Sequence, residues 1–444
     1  MVPPARLKRA PPRLQGSDVA DPDVSRVWDV FEHMTGDVTR RTLLKSMFCG
    51  AAALGIPGLP GRQGILPAFP PDDEIEQSER EAMASVAEDY RRKFNAPGLS
   101  VAIARNGRLA YKQAFGMTGH DARERLTTSH LFRIASVSKP ITSAAVFSLI
   151  ETSCLRSEDT IFGERGILET KYGKQPYGQG IEQITIDHLL THTSGDWDLW
   201  HDPMFSNTEM NQAELISWAL DTLPLKNPPG RVFAYSNFGY CILGRVIEKI
   251  TGQSYADYVQ KTILSPCGIT DMRMGGNTLK DRAPREVTYY QQSLVEGEDH
   301  NDDPYALNVT RMDSHGGWIA TPTDLVRFAT HVDGFDVSRN ILKPETIRRM
   351  TTPSNVKSNY ARGWQVNAAG HWWHGGDLGG TSAILVRTAT RFCWAALTNT
   401  RCKSSADALD DMVWEMAKKV SAWRAALAQE VPPRDKEYVT WAEY

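Results

Sequence analysis

The stretch FRIASVSKPIT, residues 132–142, places a serine and a lysine three positions apart, where an apolar run turns into a predicted helix. Residues i and i+3 share one face of a helix, so the Lys139 amine can reach the Ser136 hydroxyl. The start of the helix also points free backbone N–H groups at the serine. This arrangement suits a nucleophilic serine whose proton is taken by an amine of lowered pKa. The alternative is a plain helix cap, since serine is a favoured N-cap residue and Pro140 fits a first turn.

Two later stretches hold further candidates. In AYSNFGY, Tyr235 and Asn237 lie two residues apart in a turn before a predicted helix, where a phenol can relay protons and an amide can orient a substrate. The alternative is a tyrosine that covers the core while Asn237 caps the helix. In HWWHGGDLGG, His374, Gly375 and Gly376 come near a predicted strand end, where low side-chain bulk would let a substrate lie along the backbone. The alternative there is a glycine-rich turn.

The elements that must position these residues indicate an α+β fold. Residues 73–93 have helical apolar spacing, and residues 98–116 are typical of two strands joined by an Asn-Gly pair, a strong hairpin signal. Helical and loop patterns dominate residues 138–330, and strands return over residues 363–399 before a last helix. This order predicts an antiparallel sheet flanked by N- and C-terminal helices, with an inserted all-helical lobe and an active site between the two.

Composition excludes several classes of function. The 444 residues carry a formal net charge of -3, with 41% hydrophobic and 23% charged residues, as in ordinary globular chains. There is no basic field for nucleic acid. The six cysteines form no C-x-x-C pair and have no metal-ligand spacing with histidine, so they indicate no metal site. Separately, the serine chemistry considered above is expected to need no cofactor. An acidic stretch at 296–305 lacks calcium-loop spacing and is interpreted as a solvated loop.

Residues 1–72 are predicted to be an extension outside the catalytic domain. Within them, a twin-arginine-like export signal is predicted over about residues 39–65, and its pattern is filled by Thr39, Arg40, Arg41, Leu43, Leu44 and Lys45. The apolar part is too short and too interrupted for a membrane span, which takes about 20 residues. We therefore expect an exported, periplasmic or extracytoplasmic protein without stable membrane insertion. The alternative is a cytoplasmic protein with an amphipathic surface helix, and Met34 is an alternative start.

The motifs S-x-x-K at Ser136, Y-x-N at Tyr235 and H-x-G at His374 together resemble, in type and order, those of the serine β-lactamase and penicillin-binding-protein superfamily. The branch that they resemble contains class C β-lactamases, D-alanyl-D-alanine carboxypeptidases and family VIII carboxylesterases. The resemblance covers about residues 80–420 and extends to ITIDHLLTHTSG, GGWIATPTDLVRFA and YARGW. It implies a β-lactamase/transpeptidase-like fold.

The resemblance also implies a domain layout and a role for each motif residue. The catalytic domain would span residues 73–430, with a sheet lobe at 73–135 and 330–430, a helical lobe at 136–329 and a tail at 431–444. Ser136 would be the acylated nucleophile, Lys139 its base or proton shuttle, Tyr235 the catalytic phenol and Asn237 a substrate contact. The oxyanion hole would use the backbone N–H groups of Ser136 and Asp377.

The third motif departs from that of class C β-lactamases, which have Lys-Thr-Gly where this chain has His374-Gly375-Gly376. A permanent cation and a hydroxyl that would hold a substrate carboxylate are replaced by a partly charged imidazole and no hydroxyl. We therefore expect neutral esters to be favoured over β-lactams. We also expect the binding of a substrate carboxylate to weaken as the pH rises past about 6.5, the ordinary pKa of histidine.

The predicted function is a serine hydrolase that acts on small esters or related acyl compounds, with no nucleic-acid partner. A D-alanyl-D-alanine carboxypeptidase, a weak class C-like β-lactamase and a transacylase are alternatives within the superfamily. A catalytically silent cell-wall or partner-binding module is an alternative of another class. Trp197 and Trp200 are candidates for the acyl pocket or for core and lid packing. His192 is predicted to be a structural hydrogen-bonding residue beneath the cleft.

Overall fold

The computed structural model describes residues 75–199, 201–292, 303–401 and 405–428. The export signal predicted at 39–65, Trp200, most of the acidic loop at 296–305 and the tail at 431–444 lie outside the described residues and stay predictions. Within the described ranges, no helix is both long and apolar enough to cross a membrane.

Ten α-helices and eleven strands make up the described chain. The helices are α1 (Gln77–Lys93), α2 (Ser138–Glu151), α3 (Ile186–Leu190), α4 (Gln212–Thr222), α5 (Asn237–Thr251), α6 (Tyr255–Val259), α7 (Pro322–Thr330), α8 (Pro344–Thr351), α9 (Ser405–Ala417) and α10 (Ser421–Leu427). The strands are β1 (Gly98–Arg105), β2 (Arg108–Gly116), β3 (Phe132–Arg133), β4 (Arg273–Met274), β5 (Tyr290–Gln291), β6 (Trp318–Ala320), β7 (Gln365–Val366), β8 (Trp372–Leu378), β9 (Thr381–Arg387), β10 (Phe392–Thr398) and β11 (Thr400–Arg401).

An antiparallel six-stranded sheet forms the centre of the fold, in the order β2-β1-β10-β9-β8-β7. The predicted hairpin is confirmed, because Asn106 and Gly107 have φ of 50° and 71°, the positive values of a tight two-residue hairpin turn. β1 pairs with β10 from Leu99 opposite Thr398 to Arg105 opposite Phe392. The sheet therefore joins the two ends of the described chain and leaves β8 near one edge.

The terminal helices cover one face of this sheet, as predicted. α1 contacts α9, and their apolar sides meet the sheet in a core that contains Met83, Trp394, Trp414 and Trp423. The rings of Trp394 and Trp414 meet edge to face, with centroids 4.6 Å apart. Burial of each such large side chain contributes on the order of 1.5–3 kcal/mol to the free energy of folding. This packing stabilises the sheet on which β8 lies.

The segment between β2 and β7 packs on the opposite face of the sheet and beyond it. α7 lies directly on β1 and β10, and α2 runs through the larger apolar core with its whole first turn buried. The expected all-helical lobe needs a correction, because this segment also supplies the short strands β4, β5 and β6, and β6 pairs with β3 and β4. Strands of two or three residues are too short to produce a periodic signal in the sequence.

Candidate active site

Ser136 lies in a tight turn between β3 and α2. The turn is a short 3₁₀ helix, Ala135–Val137, and Ala135 enters it with φ of 45°, in the left-handed region that residues with a side chain rarely adopt. The N-cap residue of α2 is Val137, and no side chain caps the helix. The helix-cap alternative for Ser136 is therefore wrong, because its hydroxyl is directed at Lys139 instead.

Lys139 holds three hydrogen-bond partners in a fully buried position. Its Nζ lies 2.9 Å from Ser136 Oγ, 2.7 Å from Asn237 Oδ1 and 3.2 Å from the carbonyl oxygen of His315. Burial lowers the pKa of the Lys139 amine well below its ordinary value, and the negative charge of Asp202 opposes this shift. In its unprotonated form the amine has two hydrogens and one lone pair. Since the amide and carbonyl oxygens can only accept, the lone pair of that form is available to the Ser136 hydroxyl, whereas the protonated form donates to it.

Tyr235 completes the group around the serine. The Ser136 hydroxyl lies beside the Tyr235 phenol and interacts with it, and burial raises the pKa of that phenol well above its ordinary value. Lys139 Nζ lies 4.7 Å from the centroid of the Tyr235 ring. The ring of His192 stacks on the same tyrosine ring, with the two centroids 4.1 Å apart. The phenol therefore stays protonated at neutral pH, as a proton donor next to both candidate catalytic groups.

Asp202 fixes the position of Asn237, a role that no pattern in the sequence indicated. Its carboxylate accepts hydrogen bonds from the backbone N–H of Asn237, at 2.7 Å, and of Phe238, at 3.2 Å, at the start of α5. Ser236 caps the same helix by accepting from the N–H of Gly239 at 3.0 Å. Asn237 is the first residue of α5, so the cap itself is Ser236, and the Asn237 side chain is left to bind Lys139.

The edge of β8 touches the Ser136 turn through Gly376. A Cβ atom at this glycine would lie 2.3 Å from the carbonyl oxygen of Ile134 and 3.2 Å from the backbone nitrogen of Ser136. A Cβ at Gly375 would meet no atom within 4 Å, so that position faces open space. The carboxylate of Asp377 accepts a hydrogen bond of 2.7 Å from Ser382. The roles of Gly375, Gly376 and Asp377 toward substrate stay predictions.

We expect Gly376→Ala to damage the site while Gly375→Ala leaves the fold intact. The added methyl group at 376 must push β8 away from the Ser136 turn, at a cost of about 1–3 kcal/mol of stability. A displacement of about 1 Å there would lower kcat/KM about 100-fold. Thermal melting and ester kinetics measure the two effects. If Gly376→Ala melts and turns over substrate as the wild-type protein does, the close contact does not exist.

His374 does not carry the charge that the sequence led us to expect. Its side chain is 2% exposed, its Nδ1–H donates to the Gly375 carbonyl at 2.7 Å, and its Nε2 lies 3.2 Å from the Tyr360 hydroxyl. Burial and the charge of Lys139 lower the pKa of His374 to about 3. The expected loss of carboxylate binding above pH 6.5 is therefore wrong, because the imidazole is neutral throughout that range and both of its nitrogens are engaged.

A cleft next to Tyr235 is lined by a mixture of aromatic, acidic, aliphatic and small polar side chains. Its empty volume is about 600 Å³, which includes space open to solvent. Trp197 is 4% exposed and packs edge to face on Phe238, so it belongs both to the cleft wall and to the core. The other lining residues are Ser194, Asp196, Leu199, His201, Asp202, Pro203, Phe205, Ala234, Tyr235, Ser236 and Asn237.

The described part of the chain contains no cluster of metal-ligating side chains. Its His, Cys, Asp and Glu side chains form no group of three or more that could hold a metal ion. Asp299, His300 and Asp302 of the acidic loop lie outside the described residues, whereas Asp303 lies inside them and accepts from the backbone N–H of Tyr305 at 2.9 Å.

Comparisons with known proteins place this site in a family. Penicillin-binding protein 4* of Bacillus subtilis is 25% identical over 333 residues, which cover 70% of each chain. Protein flp of Staphylococcus aureus is 26% identical over 311 residues, which cover 68% of this chain and 59% of that protein, so the chain spans less than two thirds of this relative.

Solved structures show the same fold. D-amino acid amidase from Ochrobactrum anthropi, complexed with D-phenylalanine, has a TM-score of 0.63 at 21% identity, over 78% of this chain and 99% of that one. The octameric penicillin-binding protein homologue from Pyrococcus abyssi has a TM-score of 0.59 at 22% identity, over 72% and 73% of the two chains. The family model described as Beta-lactamase matches residues 76–416, well over half of the sequence. The chain therefore belongs to the Beta-lactamase family of the serine β-lactamase and penicillin-binding-protein superfamily.

Proposed function

We propose that this chain hydrolyses carboxylic esters or related small acyl compounds through an acyl-enzyme on Ser136. The observation that carries the proposal is the 2.9 Å hydrogen bond between Ser136 Oγ and the buried Lys139 Nζ. A serine hydroxyl is a weak nucleophile unless a nearby base takes its proton, and a lysine can do so only when its pKa is lowered. Burial lowers the pKa of Lys139 in the required direction. Membership of the Beta-lactamase family supports serine hydrolase chemistry.

In the proposed acylation step, the Ser136 hydroxyl passes its proton to Lys139 Nζ while Oγ attacks the carbonyl carbon of the substrate. The negative charge that develops on the carbonyl oxygen is held by the N–H groups of Ser136 and Asp377, and each such donor contributes about 100-fold or more in rate. The bond to the leaving group then breaks, and Tyr235 donates a proton to it. Lys139 then passes the serine proton to Tyr235, so Lys139 and Tyr235 both regain the protonation states in which they began.

In the proposed deacylation step, water gives a proton to Lys139, which is unprotonated again after acylation, and attacks the acyl carbon. The bond between that carbon and Ser136 Oγ breaks, Oγ regains a proton, and a carboxylic acid leaves. Exclusion of water from the acyl-enzyme, with attack by another nucleophile, would give the transacylase alternative. The contacts of Ser136, Lys139 and Tyr235 favour catalysis over the silent-module alternative, because a buried lysine beside a serine has a stability cost that simple binding does not require.

The side chains near Ser136 and those of the neighbouring cleft favour neutral substrates over anionic ones. His374 is neutral and offers no free N–H group, and Gly375 has no hydroxyl. Among the described residues that line the cleft next to Tyr235, no lysine or arginine is present. Lys226, which lies beside the cleft, is paired with Asp196 at 3.6 Å. A substrate carboxylate would therefore lose the charge-assisted hydrogen bonds, of about 1.5–3 kcal/mol each, that a cation provides. This reasoning supports an esterase over a β-lactamase or a D-alanyl-D-alanine carboxypeptidase.

A matched pair of esters tests this preference in the full chain. We expect kcat/KM for p-nitrophenyl butyrate to exceed that for the mono-p-nitrophenyl ester of succinate, which is of similar length but ends in a carboxylate, by about tenfold or more. A cephalosporin and an acyl-D-Ala-D-Ala peptide should be turned over more slowly than the neutral ester. D-phenylalanine amide separates amidase from esterase activity. Faster turnover of the succinate ester or of the cephalosporin would contradict the proposal.

A further inference from the structure

Three buried side chains from distant parts of the sequence form a continuous chain of hydrogen bonds beneath the cleft. His192, Tyr360 and His374 are each 2% exposed or less. His192 Nε2 lies 2.9 Å from the Tyr360 hydroxyl oxygen, and that oxygen lies 3.2 Å from His374 Nε2. We call these three residues the His–Tyr–His chain. The proposed catalytic steps do not use it.

Backbone groups fix the direction of every bond in the chain. The N–H of Ser236 donates to His192 Nδ1 at 3.0 Å, so this nitrogen carries no proton and His192 is protonated on Nε2. At the other end, the carbonyl oxygen of Gly375 can only accept, so His374 is protonated on Nδ1 and its Nε2 is an acceptor.

The central hydroxyl joins the two ends. His192 Nε2–H donates to the Tyr360 oxygen, and the Tyr360 hydrogen points to His374 Nε2. The neighbouring hydroxyl of Tyr240 donates to the carbonyl oxygen of Leu190 at 3.0 Å, so it does not supply a hydrogen to Tyr360. The Tyr360 hydroxyl also interacts with that of Tyr240. With the Tyr360 hydrogen on His374 Nε2, every ring nitrogen of the chain has a partner of the right kind and both imidazoles are neutral. Burial and the nearby Lys139 charge lower the pKa of each histidine, which agrees with this protonation.

The two ends of the chain belong to opposite walls of the site. Ser236 lies between Tyr235 and Asn237, and the ring of His192 also stacks on that of Tyr235. Gly375 lies on β8 next to Gly376, which touches the Ser136 turn. We propose that the His–Tyr–His chain is a positioning device that sets the distance between the Tyr235 turn and the β8 edge during acyl transfer. Its kinetic role rests on the proposed function, whereas its proton arrangement does not.

The first test determines directly which ring nitrogens of His192 and His374 carry a hydrogen. In the full chain labelled with ¹⁵N-histidine, long-range ¹H–¹⁵N NMR at pH 7 should show His192 as the Nε2–H tautomer and His374 as the Nδ1–H tautomer, with the two signals assigned by His192→Asn and His374→Asn variants. The opposite tautomer or a protonated ring at either position would overturn the proposal. This result does not depend on any activity, so it stands even if no ester is hydrolysed.

The second test separates positioning from stability. Tyr360→Phe removes the central hydroxyl and keeps the ring. Tyr258→Phe, in α6, is the matched control, because it also removes a buried hydroxyl bond, of 2.8 Å to Ser148, but lies outside the site. We expect Tyr360→Phe to lower kcat by about 10- to 100-fold, with KM changed less than threefold, while both variants lose similar amounts of thermal stability. A kcat for Tyr360→Phe within a few fold of the control value would overturn the positioning role.

Discussion

Replacing Ser136 by alanine is expected to abolish hydrolysis, with a fall in kcat of at least about 1,000-fold. The hydroxyl is the group at which Lys139 Nζ and the Tyr235 phenol meet, and without it the acyl group has no acceptor atom. The fold should tolerate the change, because the alanine side chain fits the same turn and removes only one oxygen. Initial rates with p-nitrophenyl butyrate, together with thermal melting, measure both expectations.

Ser138→Ala is the matched control for this variant. Ser138 lies two residues further along the same segment, is equally buried, and its hydroxyl has no hydrogen-bond partner in the described structure. We expect it to keep the activity of the wild-type protein within a few fold. If Ser136→Ala retained wild-type turnover, or if both serines mattered equally, the assignment of Ser136 as nucleophile would be wrong.

Replacing Lys139 by methionine is expected to lower kcat/KM by about 100- to 10,000-fold, the usual contribution of a general base. Methionine keeps much of the volume in the buried site but cannot take the Ser136 proton. Lys139→Arg is the informative companion, because a guanidinium keeps the charge and the donors yet stays protonated at all relevant pH values. Both variants should be inactive if the proton acceptor is what matters, whereas substantial activity of Lys139→Arg would show that only the charge is needed.

The pH dependence and the stability of the Lys139 variants provide independent checks. A base acts when it is unprotonated, so kcat/KM of the wild-type protein should rise as the pH passes the pKa of Lys139, which burial places well below 10.5. This rise should be absent from Lys139→Met.

The Lys139 amine binds its proton more strongly in the unfolded chain, so at neutral pH the lysine destabilises the folded state. Lys139→Met should therefore melt at a temperature no lower than the wild-type protein, which excludes misfolding as the cause of its inactivity.

Local patterns in the sequence were enough to predict that Ser136 and Lys139 lie together and to predict the outline of the fold. The spacing of Ser136 and Lys139 places both on one side of a turn that continues into α2, and the Asn106-Gly107 pair alone indicates the first hairpin. The long periodic helices at both ends of the domain also indicate the layer that covers the sheet. These features depend on residues a few positions apart, so local sequence patterns are enough to predict them.

Features that depend on distant contacts could not be predicted in this way. The charge of His374 follows from its burial against Tyr360 and Lys139, 14 and 235 positions away in the sequence, and an isolated histidine gives no sign of such neighbours. Asp202 precedes a proline in a loop, where the sequence indicates only a turn, and its bonds to the start of α5 appear only after folding. The carbonyl of His315 reaches Lys139 from yet another segment.

An acyl-enzyme on Ser136 can be detected by intact-mass spectrometry of the full chain quenched within its first turnovers of a p-nitrophenyl ester, followed by peptide mapping. We expect a mass increase of one acyl group, located on the peptide that contains Ser136 and absent from the Ser136→Ala variant. We also expect the adduct to decay at the rate of turnover. An adduct on any other residue, or wild-type turnover by Ser136→Ala, would show that Ser136 is not the nucleophile.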